Sequence, residues 1–171
     1  MVDCAGDFDN DGCRGGLPSH AYQYIYYNGF EKEEDYDYTA RDEVCKYNED
    51  IVLGATFGSF NITAGDEYSM KQIVANVGPV AVSYQVYGDF RDYSEGVYRS
   101  DGCKNGPFDV NHAVTNVGYG TTEEGQDYWI IKNSWGVRFG NKGYFLIERG
   151  TNMCGIGVCN SFPVGVHSWS H

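Results

Sequence analysis

No stretch of the 171 residues reaches the run of ~18 apolar residues that a membrane-spanning helix needs. The opening "MVDCAGDFDNDGC" has neither a basic start nor an apolar core, so it does not read as a secretory signal. Basic residues are scarce: 12 Lys and Arg stand against 24 Asp and Glu, a formal net charge of −12. A surface of that sign is repelled by phosphate backbones and anionic lipid, which excludes nucleic-acid and membrane partners. There is no Cys-x-x-Cys pair and no His-Glu-x-x-His to hold zinc, and no Gly-x-Ser-x-Gly for a serine hydrolase. The glycines of "GYGTTEEG" lack a phosphate-loop pattern. No metal and no cofactor are therefore expected. Internal repeats and low-complexity tracts are missing as well.

What is present describes a globular, loop-rich chain. Hydrophobic residues make up 42%, there are 23 glycines, and 15 Tyr with 9 Phe favour strands and packed surfaces over long helices. The acidic excess gathers in "EKEEDYDYTARDEVCKYNED" (31–50), which reads as a solvated loop. Six cysteines sit singly along the chain, a spacing that suits disulfides, although spacing alone does not say which pair. "NIT" at Asn61 is a glycosylation acceptor pattern. Both signals predict an oxidising, secretory compartment. The segment that would direct the chain there is not in the sequence, and the mismatch predicts a missing N-terminal part.

"CAGDFDNDGCRGG" (4–16) reads as a cysteine-held loop, and "LPSHAYQYIYYN" (17–28) as a helix with Pro at its start and Gly29 as its stop. Residues 30–65 read as turns and short strands. In "GDEYSMKQIVANVG", Asp66 is a helix N-cap, Met70, Ile73, Val74 and Val77 recur at helical spacing, and Gly78 ends the run. The period then changes to two, predicting strands over 79–87, 112–120, 127–133 and 143–148. These patterns predict an α+β protein: a mainly helical lobe over residues 1–54, a twisted antiparallel sheet or barrel lobe over 55–163, and a tail, 164–171.

Within "VNHAVTNVGYG", His112 opens one predicted strand, while Asn133 of "IIKNSWG" closes another. Two such ends can share one rim of an antiparallel sheet. Imidazole near neutral pKa can take and return a proton, and an amide oxygen can orient it without adding charge.

The blocks "NHAV", "YWIIKNSWG", "GNKGYFLIERG" and "NMCGIGVCNSFP", preceded by "VDCAGDFDNDGCRGGLPSHAYQYI", resemble the middle and C-terminal parts of papain-like cysteine peptidases. Within that family the likeness is to the cathepsin H branch. It runs in order from residue 1 to about 163.

The resemblance implies a two-lobe papain-like fold, here truncated, with a cleft between a partial helical lobe and the sheet lobe. It makes His112 the base and Asn133 its orienter, with Trp135 shielding their bond. It pairs Cys4 with Cys45 and Cys103 with Cys154, and leaves Cys13 and Cys159 unpaired within this chain. Cys13 matches a half-cystine whose partner lies upstream. Cys159 matches the position that ties down a propeptide-derived mini-chain, so an N-terminal chain or mini-chain through either thiol is an implied partner. Gly15 and Gly16 stand where substrate backbone approaches, and Pro18 and Cys159 border the pocket for the substrate's second residue. Peptide or protein substrates, cystatin-like inhibitors and a lysosomal or extracellular location are also implied.

The nucleophile, however, is absent. No Gln-x-x-x-Cys-Gly-Ser-Cys-Trp stretch occurs, and the family spacing of ~130–150 residues from cysteine to histidine places it roughly 18–38 residues before Met1. The oxyanion glutamine goes with it. A fragment of a peptidase, inactive alone, is the expected reading. The alternative is an inactive homologue that binds peptides or inhibitors; an unrelated secreted β-rich module is the outside case. Two departures from the family pattern are Asp37, where Pro is common, and Phe139, where a second Trp is common and whose smaller ring thins the cover over Asn133. Loss of packing partners for the helical lobe predicts poor solubility.

Overall fold

The computed structural model describes residues 1–168. The chain divides into two compact units, one formed by residues 1–60 with the C-terminal segment from 162, the other by residues 61–161.

In the first unit, helix α1 spans Pro18–Asn28, close to its predicted extent. Proline suits the first turn because its missing N–H would be unpaired there anyway. The helix stops at Gly29, which adopts φ +76°, donates its N–H to the Ile25 carbonyl, and lies so near Val52 and the Gly54 carbonyl that a Cβ would overlap both. Only Tyr24 of α1 is buried; its ring meets Phe8 edge-on at 5.7 Å. The remaining helical content is three single turns, Gly6–Phe8, Gly12–Arg14 and Glu49–Ile51. The region expected to be mainly helical is thus mostly loop. Its Gly, Asp and Asn content explains this, since these residues favour turns over helix interiors. The Cys4–Cys45 disulfide closes the loop, with the Cα atoms 4.9 Å apart. Strand β1 (Gly54–Thr56) pairs antiparallel with the C-terminal β9 (Val166–Ser168). Residues 166–168 of the expected tail are therefore a strand, and the rest of it, 169–171, lies outside the described residues.

The second unit is built on a sheet. In chain order the sheet's strands are β2 (Ser59–Ile62), β3 (Val80–Tyr84), β4 (Val97–Tyr98), β5 (His112–Thr121), β6 (Asp127–Lys132), β7 (Tyr144–Glu148) and β8 (Asn160–Pro163), with β2 and β8 each only partly inside 61–161. Their order across the sheet is β2-β8-β3-β5-β6-β7-β4. Four match the predicted period-two runs. The expectation of a purely antiparallel sheet needs correction: β4 pairs with β7 in parallel. A two-residue strand carries no readable alternation, so its direction is set by tertiary packing alone. The core is formed by inward residues of β3, β6 and β7, with Val80, Val82, Tyr84, Trp129, Ile131 and Ile147 showing 0% exposure.

Helix α2 (Glu67–Asn76) packs on β5 and β3, and the Asp66 side chain caps it by accepting from the Ser69 N–H at 2.9 Å. Its apolar face differs from the expected one. Val77 falls beyond the helix and is 62% exposed, while Glu67 takes a buried position one turn before Met70. The Glu67 carboxylate accepts from Trp129 Nε1 (2.7 Å), the Gly150 N–H (2.9 Å) and the Asn152 N–H (2.7 Å). Three donors supply what water would otherwise give the buried group. No helix among the described residues is long and apolar enough to cross a membrane.

Candidate active site

Three strand ends meet at one edge of the sheet. His112 is the first residue of β5 and lies opposite Tyr84, the last of β3. Because β5 and β6 run antiparallel, with Thr115 opposite Lys132, the start of β5 and the exit of β6 share that edge, and Asn133 follows directly. Asn111 fixes the entry to β5. Its Oδ1 accepts from the Val86 N–H at 2.7 Å, its Nδ2 donates to the Val86 carbonyl, and its own N–H bonds the Tyr84 carbonyl. Asn133 is anchored through its N–H to the Gly143 carbonyl at 2.9 Å.

His112 Nε2 lies 2.9 Å from Asn133 Oδ1. The same oxygen accepts from the Ser134 N–H at 2.8 Å. Only a carbonyl oxygen can accept from a backbone N–H, so the amide orientation is determined and Nε2 must be the donor. In the neutral ring Nδ1 then carries the lone pair. The imidazole is held as a base with its accepting nitrogen turned away from Asn133.

Asn133 is 8% exposed, and its Nδ2 is buried without a partner among the described residues. Trp135 stacks on the imidazole, with centroids 5.2 Å apart and planes 27° apart, and Tyr84 meets it edge-on at 5.8 Å. Phe139 touches Trp135 edge-on at 5.0 Å and Phe90 at 5.5 Å, tying the Trp to the aromatic core. His112, Asn133 and Trp135 are thus brought together. Asn111 and Tyr84 were not singled out from sequence, although the Asn before the His in "VNHAV" was a readable signal for the former.

No cysteine sulfur bonds His112 among the described residues. Four of the six are paired, Cys4–Cys45 and Cys103–Cys154, the latter with Cα atoms 5.2 Å apart. Cys13 and Cys159 are free, Cys13 exposed and Cys159 half-buried in the second unit. Desolvation and the neighbouring Asp42 carboxylate hold the Cys13 thiol above its ordinary pKa, the opposite of what activates a nucleophile.

Gly15 and Gly16 lie in the first unit just before α1. Gly15 has φ +116° and open space around its Cα, whereas a side chain on Gly16 would overlap Asn10. Asn10 Oδ1 accepts from the Leu17 N–H at 2.9 Å, so Gly16 also makes room for the residue that satisfies the entry to α1. Pro18 opens that helix. Asp37 lies in an exposed loop, and Asn61 is exposed on β2.

Comparisons with known proteins bear on the family and the fold. Residues 1–164 match the papain family of cysteine proteases. The chain is 53% identical over 165 residues to a pro-cathepsin H of Medicago truncatula, covering 96% of this chain and 47% of that one. It is 51% identical to the thiol protease aleurain of Arabidopsis thaliana, covering 96% and 46%. The chain therefore spans about half the length of the curated relatives it matches. Among solved structures, procathepsin L 3 from the larval midgut of Tenebrio molitor superposes with a TM-score of 0.90 at 36% identity, covering 96% of this chain and 53% of that one. Bromelain of Ananas comosus, in complex with the E64 inhibitor, gives 0.86 at 33%, covering 95% and 74%. On the sequence match, the shared α+β fold and the paired imidazole and amide, this chain belongs to the papain family of cysteine proteases.

Proposed function

We propose that this chain carries the base and orienting residue of a thiol peptidase of the cathepsin H and aleurain kind, which hydrolyses peptide bonds as an aminopeptidase or endopeptidase. The carrying observation is the 2.9 Å contact from His112 Nε2 to an Asn133 oxygen whose orientation the Ser134 N–H dictates. In the reaction, Nδ1 takes the proton of a cysteine thiol, and the thiolate adds to the scissile carbonyl. The imidazolium returns the proton to the departing amine, leaving a thioester. Water, deprotonated by the same nitrogen, then hydrolyses the thioester and regenerates the thiol. Asn133 keeps the ring in the tautomer and angle both steps need, and Trp135 covers one face of the imidazole.

No Cys-Gly-Ser-Cys-Trp segment occurs in these 171 residues, so they hold neither its thiol nor its oxyanion glutamine. The chain alone is then without turnover, because covalent catalysis has no nucleophile and one missing oxyanion donor costs a further ~10²–10³ in rate. Peptides and proteins are the substrates, with Gly15 giving the substrate backbone room to approach. Cys13 and Cys159 are the attachment points for an N-terminal chain or mini-chain. Two disulfides and the exposed Asn61 acceptor suit a secretory route to the lysosome or the cell exterior.

Fluorogenic aminopeptidase and endopeptidase substrates test this directly. We expect no thiol-dependent turnover from the chain alone. Turnover should appear when a polypeptide bearing the Cys-Gly-Ser-Cys-Trp segment is refolded with it, and should fall by ~10²–10⁴ with His112→Ala. Turnover by the chain alone that His112→Ala abolishes would show a nucleophile within it. A second reading, an inactive relative that binds peptides or cystatin-like inhibitors, is favoured by the lack of any cysteine bonded to His112. Inhibitor binding combined with failure of the refolded mixture would select it.

A further inference from the structure

The outer face of β6 and β7 breaks the alternation expected of a solvated sheet. Trp129, Ile131, Phe145 and Ile147 point into the core, so Ile130 and Leu146, paired in register, face outward and are only partly covered. They line an open cavity of about 510 Å³, within the range of small-molecule sites. Tyr93 forms another wall. Its hydroxyl donates to the Gly96 carbonyl at 2.7 Å and accepts from the Leu146 N–H at 3.1 Å, so the phenol is fully satisfied, and its ring, packed on Phe90, Phe139 and Phe145, gives the cavity a fixed wall.

Two opposite charges, Glu95 and Lys142, line the same cavity, and neither side chain makes an ion pair or hydrogen bond among the described residues. Lys142 has an unusual backbone. It sits at φ +54° in the tight Asn141–Tyr144 turn, followed by Gly143 at +92°. A left-handed position of that kind favours Asn or Gly, and a lysine there is strained. An apolar floor lined by one cation and one anion is the complement of a hydrophobic zwitterion.

We propose that this cavity binds a free apolar α-amino acid, its carboxylate on Lys142, its ammonium on Glu95 and its side chain against Ile130, Leu146 and Tyr93. The turn that carries Lys142 also carries the Gly143 carbonyl that anchors Asn133 at 2.9 Å, so occupancy bears on the residue orienting His112. That link makes the ligand a product-type effector and rests on the peptidase reading. Binding itself does not.

Hydrogen-exchange mass spectrometry on the 171-residue chain, titrated with L-leucine, tests the site without any turnover. Expected is saturable slowing of exchange in segments 93–98 and 141–147. L-leucinamide, lacking the carboxylate, N-acetyl-leucine, lacking the ammonium, and glycine, lacking the side chain, should each need at least ~10-fold higher concentration, since each loses one contact. Lys142→Asn should keep or improve the fold, because Asn suits the left-handed turn, yet abolish the response; Lys142→Arg should retain it. No protection by leucine, equal protection by the blocked analogues, or an unchanged response in Lys142→Asn would each overturn the proposal. Protection with no accompanying catalytic competence of the refolded mixture would retain the site and reject only its link to catalysis.

Discussion

His112 and Asn133 show how one hydrogen bond acquires direction from a second. The Ser134 N–H fixes which end of the amide faces the ring, and that in turn fixes which ring nitrogen is protonated. Nitrogen-15 NMR should therefore find the neutral His112 side chain as the Nε2–H tautomer, and Asn133→Ala should let the other tautomer appear. In the reconstituted enzyme His112→Ala should lower kcat/KM by ~10²–10⁴, the usual worth of a positioned acid-base group, with Asn133→Ala costing less because the imidazole remains. Glu67 is the comparable case away from the site. Glu67→Gln keeps the shape but removes the charge that three donors converge on, and replaces one acceptor oxygen with a donor. A loss of ~1–3 kcal/mol is expected, read as a lower urea midpoint with an unchanged slope.

At the scale of elements, the parts that were readable in advance carry their signals locally. Helix α2 declares itself through Asp66 and the 3.6 spacing, α1 through Pro18 and Gly29, and four strands through alternation. The β1–β9 and β4–β7 pairings were not legible, since strands of two or three residues have no period and their partners are distant in sequence. The turn at 88–100 is similar: Asp89 accepts from Tyr98 Oη at 2.5 Å and Ser100 Oγ at 2.7 Å. These bonds hold the Asp89 carboxyl below its usual pKa. A group depressed in the folded state stabilises it above the unfolded value, near pH 3.8, and loses that contribution as pH falls through the lower folded value. Acid should thus loosen segment 88–100, seen as faster exchange below about pH 4. Asp89→Asn should flatten that part of the pH profile.

For the whole molecule, the first unit presents much apolar surface to solvent: Val44 is 83% exposed, Tyr27 67%, Phe57 65% and Phe60 62%. Large exposed apolar side chains on one small unit favour self-association. Size-exclusion chromatography with light scattering should find oligomers or aggregates of the isolated chain, whereas a monomer with a single sharp melting transition would count against this. The net charge of −12 opposes aggregation near neutral pH, so association should strengthen as pH approaches the sequence pI of about 4.5.

Caps, periodicities and the His112 and Asn133 blocks lie in short stretches of chain, so the amino-acid sequence by itself determined the main helices, the four longer strands, the family resemblance and the candidate catalytic pair. Tertiary structure alone decided the parallel seating of β4, the conversion of 166–168 into a strand, the burial of Glu67 among three donors, and the meeting of Glu95 and Lys142 at one cavity. Each of these depends on groups far apart in sequence reaching one another. Local propensity cannot encode such meetings, because their free energy exists only once the sheet has closed around them.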